Sequence, residues 1–282
     1  MMIEAHGKLN LSLDILGKRE NGYHDVAMVM QSVALCDFVS VERNALKGIS
    51  VYTNRPDIPN DDRNIAYCAC QEMIAEFDLD CGFSVEIEKH IPVAGGMAGG
   101  SADAAAVIKA INQICDLGLT EKQMMEIGLR LGADVPFCIQ ERPALATGIG
   151  EILTPICGLP EHLWILLVNP NRKVSTKVVY EMIDRRLTYG TVNNDAICDA
   201  LATNNVAAAT KYMKNVMESV SITLCPQIKD VLQKLREMGA LHAMMSGSGA
   251  TCFGIFEHVP NVRRAQEVFS DYYVELTKPL TL

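Results

Sequence analysis

Strict alternation opens the chain. Leu9, Leu11 and Leu13 fall on one face of an extended segment, and Lys8, Asn10 and Ser12 on the other. Residues 3–16 are therefore expected as a strand with its polar face in water. Asn21-Gly22 marks a tight turn, and residues 26–40 read as a second strand. Residues 51–63, rich in Pro, Asn and Asp, form a loop. Over residues 61–77 a helix follows, with Ile65, Cys68, Ala69, Met73 and Phe77 available for burial. Residues 83–88 alternate again as a strand, and residues 101–115 read as a helix with Ala104, Ala105 and Ala106 suited to close packing. Thr120 and Gln123 have the spacing of a capping box, and Gly132 is placed to end that helix. Pro136 is expected to hold Val135 extended, setting Asp134 at a bend.

Residues 144–153 return as extended chain, and residues 163–168 form a continuous apolar, buried strand. Ser175 caps the next helix. Two more are expected near residues 205–219 and 226–238, the second begun by Pro226 and closed by Gly239. Residues 241–256 read as strand, Ser246-Gly-Ser-Gly turn, strand. This irregular order predicts an α+β protein of two domains, without the regular alternation of a doubly wound sheet. Prolines near residues 155–160 put the boundary between residues 1–155 and 156–282.

Between the strand at 83–88 and the helix at 101–115 lies the stretch IPVAGGMAGGSADAAA. Glycines let main-chain N–H groups approach an anion, and a helix start adds unpaired donors and the positive end of its dipole. The loop has neither the Walker lysine nor the dinucleotide glycine spacing. By itself it also fits a simple turn before a helix capped by Ser101.

Composition narrows the classes. The chain has 282 residues, 49% apolar and 21% charged, as in an ordinary packed protein. A net charge of −9 without a basic run argues against nucleic-acid binding. The ten cysteines include no C-x-x-C pair and read as reduced structural thiols; a metal shared by Cys68 and Cys70 lacks partners at a familiar spacing. No signal-peptide core or membrane-length apolar run occurs, so a cytoplasmic protein without membrane association is expected.

Lys8 in the first strand, the proline- and glycine-rich run Pro92–Ala105 and the Ser246-Gly-Ser-Gly turn occur in an order that resembles the GHMP kinase superfamily. The blocks Ala5-His-Gly-Lys-Leu-Asn-Leu, Gly22-Tyr-His, Gly132-Ala-Asp-Val-Pro-Phe and Gly148-Ile-Gly-Glu resemble its branch whose acceptor is 4-diphosphocytidyl-2-C-methyl-D-erythritol. The resemblance implies ATP-dependent phosphorylation of that acceptor's 2-hydroxyl in the non-mevalonate isoprenoid pathway. It implies an N-terminal ATP-binding domain like ribosomal protein S5 domain 2 and a ferredoxin-like C-terminal domain that contributes to the acceptor site. Carried over by position, Lys8 and Asp134 are the catalytic pair. The ATP contacts are Asn64, Lys89, Pro92, Val93, Ala94, Gly95, Gly96, Met97, Ala98, Gly99, Gly100, Ser101 and Ala102. Asn10, Tyr23, His24, Thr176 and Tyr180 correspond to the acceptor pocket, with the aromatic rings against cytosine. Mg²⁺ is expected with ATP, and no ligand to it is assigned.

These residues suit the chemistry, because a loose phosphoryl-transfer transition state asks mainly for positioning and charge stabilisation. A carboxylate can take the hydroxyl proton, and a lysine beside it keeps it ionised. The sequence departs from the family where His6-Gly7 precede Lys8 in place of proline-alanine, where Ala102 replaces a second serine, and where Met97 replaces leucine. Asp103 reads as solvent-facing support for the helix dipole, a metal role being the alternative. Homoserine and mevalonate kinases are rival readings, opposed by Gly22-Tyr-His. A sensor without catalysis is opposed by Lys8 and Asp134, and an RNA-binding S5-like protein by the acidic charge.

Overall fold

Two long strands begin the chain, β1 (Met2–Lys18) and β2 (His24–Asn44), paired with each other. The computed structural model describes residues 1–45, 47–185 and 190–281. It divides into one unit of Met1–Gly7, Leu35–Ile91 and Ala98–Glu141, and another of Lys8–Ala34, Pro92–Met97 and Arg142–Leu282.

The first unit contains β3 (Ile49–Thr53), α1 (Ile65–Glu76), β4 (Gly82–Glu88), α2 (Gly99–Ile114), α3 (Glu121–Leu131) and α4 (Val135–Gln140). β4 lies antiparallel to β2, from Phe38 opposite Glu88 to Asn44 opposite Gly82, and parallel to β3. Val39, Val41, Phe83, Val85 and Ile87 of the sheet join Ala69, Met73, Ala104, Ala105 and Ile108 of the helices in one apolar core. The alanines of α2 are buried as expected. α1 starts later than the spacing predicts, because the Asn64 side chain caps it by accepting from the Ala66 N–H at 3.0 Å. The capping box of α3 is present, with Gly132 at its end.

Three expectations fail here. Residues 51–53, expected as loop, complete β3, because they pair in parallel with β4 as far as Thr53 opposite Ile87. Val135 is helical: Pro136 falls in the first turn of α4, where its missing N–H and fixed φ cost the helix nothing. Nor does Ser101 cap α2. The helix begins two residues earlier, after Ala98 in a left-handed conformation (φ 57°), with no side-chain cap.

In the second unit β5 (Ala144–Thr147) pairs with Met28–Met30 of β2 and forms a hairpin with β6 (Ile152–Pro155). Then follow β7 (Trp164–Asn169), α5 (Thr176–Ile183), α6 (Asn194–Ala202), α7 (Val206–Ala209), α8 (Glu218–Leu224), α9 (Gln227–Glu237), β8 (His242–Met245), β9 (Cys252–Phe256), α10 (Val262–Val268) and β10 (Tyr273–Thr277). The sheet order β10-β7-β9-β8, antiparallel at every pairing, is the ferredoxin-like arrangement. Ser175 caps α5 and Gly239 (φ 91°) follows α9, as expected. The helix expected over 205–219 is instead two short ones. Asn215 interrupts it: this residue bridges to Leu13 of β1, and its amide donates to the carbonyls of Met245 (2.9 Å) and Gly247 (2.7 Å). Among the described residues no helix is long and apolar enough to cross a membrane.

Candidate active site

The polar face of β1 is not in water. Lys8, Asn10, Ser12 and Asp14 are all buried, which overturns the solvated reading. α6 supplies partners instead of solvent: Ser12 Oγ donates to Asn194 Oδ1 at 2.5 Å and accepts from the Val29 N–H at 3.0 Å. A buried lysine needs its donors satisfied. Lys8 Nζ donates to Asn10 Oδ1 at 2.7 Å, and its backbone N–H donates to the Met97 carbonyl at 3.0 Å. The strand that carries the lysine is thereby bonded to the loop segment 92–97.

That segment packs on the Ser246-Gly-Ser-Gly turn. Ser246 Oγ donates to the Gly96 carbonyl at 2.9 Å and accepts from the Asn10 N–H at 3.3 Å, while the Thr251 N–H donates to the Gly95 carbonyl at 3.2 Å. Gly96 is left-handed (φ 80°), and a Cβ there would overlap the Ser246 carbonyl oxygen. Two alanines, Ala94 (φ 52°) and Ala98 (φ 57°), also hold left-handed geometry in this short stretch. Such conformations cost energy and concentrate at functional sites. Downstream, Gly99, Gly100 and Ser101 open α2, whose first N–H groups have no side-chain cap, and Ala102 is buried.

In the first unit Lys89 is gripped by two carboxylates. Its Nζ donates to Asp103 Oδ2 at 2.6 Å and to Asp37 Oδ2. Asp37 Oδ1 also accepts from the backbone N–H groups of His90 (2.6 Å) and Ile91 (2.8 Å), fixing the chain as it enters the loop. Burial works against the Lys89 charge, but Asp103 and Asp37 outweigh it and raise the ammonium pKa. Burial raises the Asp103 carboxyl strongly, and Asp37 adds to this against Lys89. Asp103 is thus buried and paired, not solvent-facing. Asn64 has both ends of its amide in use, capping α1 and donating to the Pro59 carbonyl at 2.9 Å.

Tyr23 is exposed, whereas His24 is buried and stacked on Tyr180, with ring centroids 4.5 Å apart and planes at 20°. Asp184, which sequence reasoning missed, lies 2.6 Å from His24 Nε2, and its other oxygen accepts from Lys18 Nζ at 2.5 Å. The hydrogen bond from Lys18, followed by that from His24, keeps the Asp184 carboxyl below its ordinary pKa. The Thr176 and Ser248 hydroxyls are 2.7 Å apart. Asp134 is half-buried at the start of α4, and its carboxylate makes no capping bond to that helix. A cavity of about 430 Å³ in the second unit, bordered by Asp14, Asn215, Glu218, Arg236 and His242, is lined by none of the residues expected to bind ATP or acceptor.

Left-handed loop geometry and an uncapped helix start are features that suit an anion, and comparison with known proteins assigns the family. Residues 64–142 match the GHMP kinases N terminal domain and residues 197–275 the GHMP kinases C terminal family. The chain is 44% identical over 256 residues to the 4-diphosphocytidyl-2-C-methyl-D-erythritol kinase of Clostridioides difficile, covering 91% of this chain and 86% of that one. A crystal structure of 4-(cytidine 5'-diphospho)-2C-methyl-D-erythritol kinase superposes with a TM-score of 0.80 at 29% identity, over 99% of this chain and 100% of the other. Homoserine kinase from Cytophaga hutchinsonii shares the fold, with a TM-score of 0.74 at 17% identity over 97% of this chain and 95% of that one. The chain is a GHMP kinase. Within that superfamily it belongs to the 4-diphosphocytidyl-2-C-methyl-D-erythritol kinases.

Proposed function

We infer that the protein transfers the γ-phosphoryl group of ATP to the 2-hydroxyl of 4-diphosphocytidyl-2-C-methyl-D-erythritol, giving the 2-phosphate and ADP. The reaction belongs to the non-mevalonate route to isoprenoid precursors and takes place in the cytoplasm. The observation that carries this reading is the 44% identity over 91% of the chain to a kinase named for that acceptor. Residues 1–155 carry ATP, and residues 156–282 contribute to the acceptor site.

Residues 92–102 wrap the ATP phosphates through backbone N–H groups, a role supported by the left-handed loop and the uncapped start of α2. The resemblance assigns Asn64 and Lys89 to the nucleoside side, where they act through neighbouring groups, since both amide ends of Asn64 and the Lys89 ammonium are already held by protein partners. Asp134 takes the proton of the attacking hydroxyl, and Lys8 stabilises negative charge as the phosphoryl group moves. Asn10, held by Lys8, orients the acceptor. Mg²⁺ arrives with ATP and, when bound, neutralises phosphate charge. Asp103 Oδ1 is buried without a partner among the described residues, and a hard carboxylate oxygen is the donor Mg²⁺ takes, so Asp103 is the residue to hold it.

Tyr23, His24 and Tyr180 bind the cytosine, and Thr176 closes the same pocket. Asp184 is a positioning residue: it fixes the His24 ring against Tyr180. Asp184→Ala is expected to raise the acceptor KM about 10-fold, the loss of one charge-assisted hydrogen bond, with the ATP KM unchanged. Equal changes in both KM values would assign Asp184 to folding alone.

The function is tested by ADP release from purified protein with ATP, Mg²⁺ and one acceptor at a time: 4-diphosphocytidyl-2-C-methyl-D-erythritol, homoserine or mevalonate. Turnover with the cytidylyl acceptor alone is the expected result. Turnover with another acceptor would overturn the pocket assignment, and tight ATP binding without turnover on any would favour a sensor.

A further inference from the structure

His6 stands where the superfamily pattern has proline, and the kinase reaction gives it no task. Glu4 and His6 lie two apart on β1 and so project from the same face, while Ala5 between them enters the core. Cys36, on the paired strand β2, completes a group in which one ligand atom from each of Glu4, His6 and Cys36 lies within 4.8 Å of the others. The three belong to the first unit, as do the groups that support them. We propose that Glu4, His6 and Cys36 form a binding site for Zn²⁺, separate from the Mg²⁺-ATP site.

The ring of His6 is set up for such a role. His6 Nδ1 is 3.0 Å from Glu141 Oε1, and Lys109 Nζ donates to Glu141 Oε2 at 2.6 Å. A neutral ring donating from Nδ1 to Glu141 leaves its lone pair on Nε2, and Nε2 is the atom 3.5 Å from Glu4 Oε2. A carboxylate behind a histidine is the support that zinc-binding imidazoles commonly have. Glu141 can serve because Lys109 Nζ holds its other oxygen and so fixes the carboxylate behind the ring. Burial, then Glu4, Asp37 and Glu141, push the Cys36 thiol up to about 11. The same negative surroundings favour a dication.

Binding displaces the Cys36 proton to solvent, and the thiolate and the Glu4 carboxylate together balance the two charges of the ion. Water takes the fourth position of a tetrahedron. With Zn–N and Zn–S bonds of about 2.0–2.3 Å, neighbouring ligands stand roughly 3.3–3.8 Å apart, so the three side chains must close by about 1 Å. Glu4, exposed and long, can supply that movement. A sulfur–nitrogen–oxygen set selects zinc over Mg²⁺, which prefers oxygen alone.

The test uses the full chain freed of metal by chelator and buffer exchange. Zn²⁺ is titrated against a chromophoric chelator, and Co²⁺ serves as a spectroscopic stand-in. The expected result is one tight equivalent per chain, a sulfur-to-cobalt charge-transfer band, and a rise in melting temperature with Zn²⁺. Cys36→Ser should abolish the band, and Cys36→Ser and His6→Ala should each weaken Zn²⁺ binding at least 100-fold. Glu141→Ala, which keeps all three ligands, should weaken it about 10–100-fold. Circular dichroism checks that each variant is folded, and Cys36→Ser carries the test if His6→Ala is not. No tight equivalent in the parent would overturn the proposal. So would an unchanged stoichiometry and cobalt spectrum in folded Cys36→Ser, which would place the metal on other thiols.

Discussion

Asp134→Asn is expected to lower turnover by roughly 10²–10⁴-fold, the range for removing a general base, while ATP affinity and melting temperature stay near those of the parent. The substitution suits the question because Asn keeps the size of the side chain and loses the proton-accepting charge. The Asp134 carboxylate makes no capping bond to α4, so no helix cap is lost. Lys8→Met should reduce turnover comparably but also cost about 1–3 kcal/mol of stability, because it takes a donor from the buried Asn10 amide. If both side chains act in one transfer step, the double variant should be hardly worse than either single one. Single-turnover ADP formation and calorimetric ATP binding together check this. Near-parental turnover in folded Asp134→Asn would remove the residue from the proton transfer.

Most strands of the two sheets were legible because alternation, apolar runs and turn residues mark them without help from the rest of the chain, but β3 fell in a stretch read as loop and β10 was not read. Leu9, Leu11 and Leu13 are all buried, and the ferredoxin-like sheet includes both strands read around the Ser246 turn. Less legible was anything decided by a distant partner. The polar face of β1 looked solvated because its cover, Asn194 of α6, lies far along the chain. Asp37 went unnoticed, although it shares the strand parity of buried Val39 and Val41, and a charge at such a position signals a buried partner. Asp184 lies four residues after Tyr180, the spacing of one helix face, and could have been found by following that face. At Pro136 the extended preference of the residue before a proline gives way to the proline's own fit to the first turn of a helix.

Gly96→Ala is expected to do more damage than any other single-methyl addition in the glycine loop. Two costs combine at this position. A left-handed φ of 80° costs an L-residue ~1–2 kcal/mol, and crowding a packed backbone costs ~1–3 kcal/mol; together they make ~2–5 kcal/mol. The obstacle is the Ser246 carbonyl oxygen, a backbone atom whose position is fixed by the turn, so it cannot rotate away as a side chain would. Gly95→Ala meets the Thr251 hydroxyl at 2.5 Å and the Asn169 amide and Pro92 Cβ at 3.0 Å, side-chain atoms rather than backbone and without a left-handed φ, and should be milder. Gly17→Ala, with nothing among the described residues within 4 Å, is the control and should stay within ~0.5 kcal/mol of the parent. Denaturant midpoints should therefore fall in the order Gly17→Ala, Gly95→Ala, Gly96→Ala. In the last, the ATP KM should rise further than the acceptor KM, because the loop that loses its support is the one assigned to the phosphates. A Gly96→Ala protein with parental stability and parental ATP KM would mean that the contact with the Ser246 turn does not hold the loop in place.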